Sequence, residues 1–157
     1  MKKTKITDLL IFIVGTELVG VLSGIIAGNS FSFYKEIVRP PFSPPGWIFP
    51  IVWIILYALM GISAYFIYNS KATVRQKNFA LALYTIQLVV NFLWSIVFFR
   101  LKMLGFSVVI ILLLLVLICV MLYSFYRIRS VAVYLNISYL LWTAFASYLN
   151  IGVLILN

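Results

Sequence analysis

The chain has 157 residues, 65% of them hydrophobic and 10% charged, with a mean hydropathy of +1.16. That composition excludes an ordinary soluble domain and makes the bilayer its solvent; the continuous, non-alternating apolar runs then exclude a barrel and leave helices, whose backbone polar groups pair internally. The net charge of +9 does not point to nucleic acid, because the cations sit in short clusters between apolar runs, as helix-end anchors do. With no histidine and a single cysteine, Cys119, one chain offers no disulfide, no His/Cys metal site and no Ser-His-Asp or Cys-His nucleophile.

A spanning helix needs about 20 apolar residues. Five segments qualify, at about residues 9–27, 47–68, 79–99, 105–126 and 131–156, and predict an all-α integral membrane protein, a single five-helix transmembrane domain over residues 1–157. The first follows Lys2, Lys3 and Lys5, so a signal peptide is the competing reading. An uncleaved span is preferred because Thr16, Gly20, Gly24 and Gly28 recur every four residues, a spacing that lets helix backbones approach closely. That stripe serves packing within the chain or a homodimer seam. Glu17 shares its face. A carboxylate inside a span costs about 3 kcal/mol or more if charged and unpaired, so it is protonated, hydrogen-bonded or a proton-coupling site.

Between the first two spans, residues 39–53 hold all five prolines and two of the four tryptophans. Proline lacks a backbone donor and restricts the residue before it, so a stiff non-helical lid is expected until Gly46, with Pro50 tolerated in the first turn of the next helix. Span two then aligns Trp53, Tyr57, Met60, Gly61 and Ala64 on one face. Span three aligns Tyr84, Gln87, Asn91, Trp94 and Phe98; its mid-span amides need partners, so this face is expected to look inward. Span four, rich in Ile, Leu and Val, reads as scaffold or lipid-facing. Span five aligns Trp142, Ala146, Leu149 and Asn150. Tryptophan stripes serve as interfacial belts or as pocket walls; the amides favour a pocket for a flat apolar ligand.

Lys and Arg number eight on the N-terminal side (Lys2, Lys3, Lys5, Lys71, Arg75, Lys77, Arg127, Arg129) and four on the other (Lys35, Arg39, Arg100, Lys102). The positive-inside rule places the N-terminus in the cytoplasm and the lid outside. Short basic loops suggest a bacterial plasma membrane.

Three blocks then resemble a known family, TspO/MBR, the tryptophan-rich sensory proteins and translocator proteins. They are Pro44-Pro45-Gly46-Trp47 with Val52-Trp53 and residues 56–61; Tyr84 through Gln87 to Asn91, Trp94 and Phe98; and residues 139–150 around Trp142. The resemblance implies a five-helix bundle, commonly dimeric, that binds protoporphyrin IX, haem or similar hydrophobic molecules beneath its first loop. It requires no cofactor beyond such a ligand. Carried over by position, the site includes Trp47, Trp53, Asn91, Trp94, Trp142, Ala146 and Leu149, joined by Tyr57, Tyr84, Gln87, Phe98 and Asn150 from the faces above. Trp53 and Trp142 match residues that some bacterial relatives use in light-dependent porphyrin breakdown, the one catalytic activity the resemblance suggests. Lys35 and Arg39 are the candidate partners of the propionates. The family often carries tryptophan where this chain has Phe33 and Phe42, and nothing basic follows Tyr148 as the sterol motif of animal members requires. Alternatives are a proton-coupled exporter of lipophilic compounds working through Glu17, and a membrane scaffold.

Overall fold

The structure, a computed structural model, describes residues 2–28 and 30–157, with side chains from residue 6 onward. The Lys2, Lys3 and Lys5 side chains of the charge count lie outside that description. Among the described residues six α-helices follow one another: α1 (Lys2–Ala27), α2 (Ser30–Glu36), α3 (Ile48–Tyr68), α4 (Val74–Ser95), α5 (Leu104–Tyr126) and α6 (Ser130–Leu156). All but α2 are long and apolar enough to cross a membrane.

Span three starts five residues earlier than its apolar run suggests. Thr73 caps α4 in a reciprocal box, its hydroxyl accepting from the Gln76 backbone N–H while the Gln76 side chain accepts from the Thr73 N–H. Arg75 and Lys77 therefore ride on a helix that begins outside the apolar stretch. At its other end α4 runs into a π-helical turn, Ile96–Arg100, with the Leu101 N–H bonded to the Ile96 carbonyl.

The five long helices close a ring in the order α1, α3, α6, α5, α4 and back to α1, with α1 resting more lightly on α4 than on α3. Gly61 permits the α1–α3 approach: a Cβ there would stand 2.8 Å from the Cα of Ile13 and the carbonyl oxygen of Phe12. Inside the ring, Tyr57, Met60 and Ala64 of α3, Tyr84 and Leu88 of α4, Ile118 and Met121 of α5, and Tyr139 of α6 form the larger buried cluster. A second cluster near the first loop joins Phe33, Trp94, Phe98, Ile111, Ala146 and Val153. Exposed Leu, Ile and Val cover the outside of the helices, as a lipid-facing surface requires.

The proline stretch is non-helical up to Gly46, as its prolines suggest, and the short helix α2 precedes it in the first loop. Residues 37–47 then cross the end of the bundle and are fastened to α6. Gly152 leaves room for the Pro40 ring, since a Cβ there would lie 2.6 Å from it. Tyr148 donates its hydroxyl to the Pro41 carbonyl at 3.0 Å. Asn157 brackets Val38, accepting from its N–H and donating to its carbonyl, both at 2.9 Å.

Candidate functional site

A cavity of about 340 Å³ lies between α1, α3 and α4, roofed by α2 and the Gly46 end of the strap. Its aromatic wall comes from Trp53 and Tyr57 on α3, Trp94 and Phe99 on α4 and its π turn, Phe49 at the start of α3, and Phe31 and Tyr34 on α2. The Trp53 ring centroid is 5.5 Å from that of Tyr57 and 6.5 Å from that of Trp94, which in turn stacks on Phe98 at 5.7 Å. Polar groups are few: Glu17, Ser23, Ser30, Asn91 and Ser95. Such a ratio of apolar wall to isolated polar groups, in a volume near the lower end of the ~300–1,000 Å³ range, is that of a small-molecule site.

Gly24 has nothing within 4 Å of a would-be Cβ, so the missing side chain is cavity space. Gly20 instead faces the Tyr57 ring, which would collide with any side chain there. Gly28, with φ of 71°, ends α1 in the left-handed region and also borders the cavity. The glycine stripe is thus directed at the interior of this chain, as close packing at Gly20 and as cavity wall at Gly24 and Gly28.

Of the residues singled out in the sequence, Trp53, Tyr57, Asn91 and Trp94 line this cavity. Asn91 donates to the Tyr57 hydroxyl at 3.2 Å. Phe98 stands behind Trp94, packed with Phe33 at 5.6 Å. Tyr84 and Gln87 lie deeper: Tyr84 is hydrogen-bonded to Thr16 across the α1–α4 seam, and Gln87 accepts from Tyr139 at 2.7 Å. Asn150 fastens three helices, accepting from the Trp94 indole N–H at 2.8 Å and donating to Ser107 at 2.9 Å. Ala146 and Leu149 are buried beside it and do not border the cavity. The amides that argued for a pocket are therefore divided between tasks. Gln87 and Asn150 tie helices together, and Asn91 reaches the cavity.

The tryptophans do not all converge. Trp142 lies on the other flank of α3, edge-on to Phe49 at 5.8 Å, where it borders an open groove between α3 and α6 with Val52, Leu56, Ser138 and Leu141. Trp47, at the start of α3, is 63% exposed. Arg39 places its guanidinium 5.1 Å from the centroid of the Tyr34 ring, at the rim; Lys35 is exposed on α2. Phe42 is 88% exposed and holds a φ of 65°.

Several lining residues carried no signal of their own. Phe31, Tyr34, Phe49, Ser23 and Ser95 are ordinary apolar or small residues until α2 folds over the bundle. Glu17 was legible as a carboxylate on the glycine face; that this face borders a void was not.

Fold and cavity define a polytopic α-helical membrane protein with an aromatic chamber beneath its first loop. The chain belongs to the TspO/MBR family, whose model matches residues 12–156. It is 35% identical over 137 residues, 83% of this chain and 87% of the relative, to the tryptophan-rich protein TspO of Chlorobaculum tepidum. The corresponding protein of Archaeoglobus fulgidus is 34% identical over 148 residues, 90% and 94% of the two chains. A translocator protein from Bos taurus is 31% identical over 143 residues, 87% and 85%.

Proposed function

We propose that the protein is a membrane receptor for flat hydrophobic ligands, of which protoporphyrin IX and haem are the type, taken into the α1–α3–α4 cavity. The observation that carries this reading is the void walled by Trp53, Tyr57 and Trp94 at a place where a filled bundle would bury side chains. Each well-placed ring pair adds about 0.5–1.5 kcal/mol to the gain from buried area. Arg39, beside Tyr34, is the natural partner of a propionate, with Lys35 next to Tyr34 on α2 as a second. Without a histidine, iron has no imidazole ligand here, so binding that rests on ring contacts tolerates metal-free porphyrin.

The reading places the protein in a bacterial plasma membrane with the N-terminus in the cytoplasm and the strap outside, on the strength of the charge count and the bacterial relatives. A homodimer belongs to it. Of the two indoles tied by resemblance to porphyrin photochemistry, Trp53 is assigned contact with the macrocycle. Trp142 is assigned none.

Export is the less economical reading. Below the cavity the bundle is filled by Met60, Tyr84, Gln87 and Tyr139, all buried, and a transport path would have to break the Tyr139–Gln87 bond. Titrating protoporphyrin IX in the dark against intrinsic tryptophan fluorescence tests the proposal. Saturable quenching in the wild type, weakened about tenfold or more in Trp53→Ala and unchanged in Trp142→Phe, is expected. Equal binding by Trp53→Ala would overturn it.

A further inference from the structure

Glu17 has a place in the molecule that the receptor reading leaves unused. It lies in the middle of the membrane-crossing part of α1, eleven residues and about 16 Å of helix from Gly28 at the cavity roof. It borders the cavity and is only partly covered. Among the described residues it forms no ion pair; the single salt bridge there joins Lys102 to Glu36 on the surface. Among the described residues no cation stands at its depth, because their Lys and Arg fall in loops and span ends. Near the roof, Arg100 donates to the Ile26 carbonyl, Arg39 covers Tyr34 and Lys102 stands over Phe33, while Lys35 is exposed on α2.

A carboxylate inside a bilayer is costly unless something pairs with it. The residues that share the cavity with Glu17 include the aromatic rings of Tyr57 and Trp53, and the π-face of such a ring attracts a cation placed over it. An acid that shares a mostly apolar cavity with aromatic rings is the chemistry that selects a positively charged nitrogen carried on a hydrophobic body.

Resting on the receptor reading, we propose that Glu17 is the cation-recognising residue of this cavity, which therefore takes flat hydrophobic ligands bearing a protonated amine in preference to neutral ligands of the same shape. The ligand lies along the cavity with its ammonium at the floor, against Glu17 and the Tyr57 face, and its ring system against Trp53 and Trp94. A ligand carrying acids as well would hold them at the roof, near Arg39. The chamber thus has a polarity along its length, acidic at the floor and basic at the rim.

The test compares two probes of equal size, 2-naphthylmethylamine, protonated at neutral pH, and 2-naphthalenemethanol, which is neutral. Each is titrated by calorimetry into the full chain in micelles of an uncharged detergent. The wild type should bind the amine about tenfold more tightly than the alcohol. Glu17→Gln, nearly isosteric, should bring that ratio close to one. Gly24→Leu, which fills the cavity without touching the carboxylate, should weaken both probes together. A wild type that binds both probes equally, or a Glu17→Gln variant that keeps the preference, overturns this inference and leaves the receptor reading standing. If neither probe binds the wild type, or Gly24→Leu binds both as the wild type does, the cavity is not the site and both ideas fail. Helical content by circular dichroism confirms that each variant is folded; should Glu17→Gln not fold, Glu17→Asp must lower the ratio by drawing the carboxylate back, and an undiminished ratio counts against the proposal.

Discussion

At the residue scale, small and polar side chains decide where the helices touch and where they part. Gly61 lies against the α1 backbone, so Gly61→Leu forces α1 away from α3 and should cost about 1–3 kcal/mol, the usual penalty for overpacking, seen as a lowered midpoint in thermal or denaturant unfolding of the detergent-solubilised protein. Gly24→Ala, with nothing near its would-be Cβ, should keep or raise the same midpoint, since alanine loses less backbone freedom on entering a helix. Asn150→Leu removes the acceptor of the Trp94 indole and the donor to Ser107, and strands the Trp94 N–H in the interior. A loss of about 1–3 kcal/mol is expected by the same unfolding measurement. The sequence showed that Gln87 and Asn91 must be paired, because amides in a span are costly, and the same holds for Asn150. It did not show with what. Partners lie 43 to 56 residues away in the chain for Asn150, a separation on which helical periodicity is silent. For the same reason the three tryptophan faces looked equivalent, although Trp53 and Trp94 meet and Trp142 turns to the opposite flank of α3.

At the scale of elements, the five spans were legible because apolar length alone specifies them, and their ends were less so because caps lie outside the apolar stretch. Thr73 and Gln76 add the polar first turn of α4 in this way. Two elements gave no usable signal. The π turn at Ile96–Arg100 holds one more residue than an α turn would, so that Phe98 and Phe99, 4.8 Å apart, both reach Trp94. Helix α2 is seven residues long and mixed in character, too short for periodicity to register, yet it supplies Phe31 and Tyr34 to the roof. The strap itself was legible from its prolines as stiff; its anchorage to α6 was not, since nothing in isolation marks Gly152, Tyr148 or Asn157 as its moorings. Gly152→Val should push Pro40 off α6 and free the strap. The expected result is several-fold faster amide hydrogen exchange at residues 37–43, with the exchange of α5 unaltered.

At the scale of the whole molecule, a ring of five helices tightly filled at one end and open at the other assigns stability and binding to different halves. Tyr84, Gln87 and Tyr139 close the filled end with buried hydrogen bonds, while Trp53, Tyr57 and Trp94 face a void at the other. That division accounts for how a chain with so few polar groups both holds together in lipid and keeps a cavity open beneath a fastened strap. It also leaves two candidate places for a hydrophobic ligand, the α1–α3–α4 cavity and the α3–α6 groove beside Trp142. Dark titration of protoporphyrin IX into Gly24→Leu, which fills the cavity, and Ser138→Leu, which fills the groove, separates them. The account predicts that Gly24→Leu loses affinity about tenfold or more and that Ser138→Leu binds as the wild type does. Loss in Ser138→Leu with full binding retained in Gly24→Leu would contradict it.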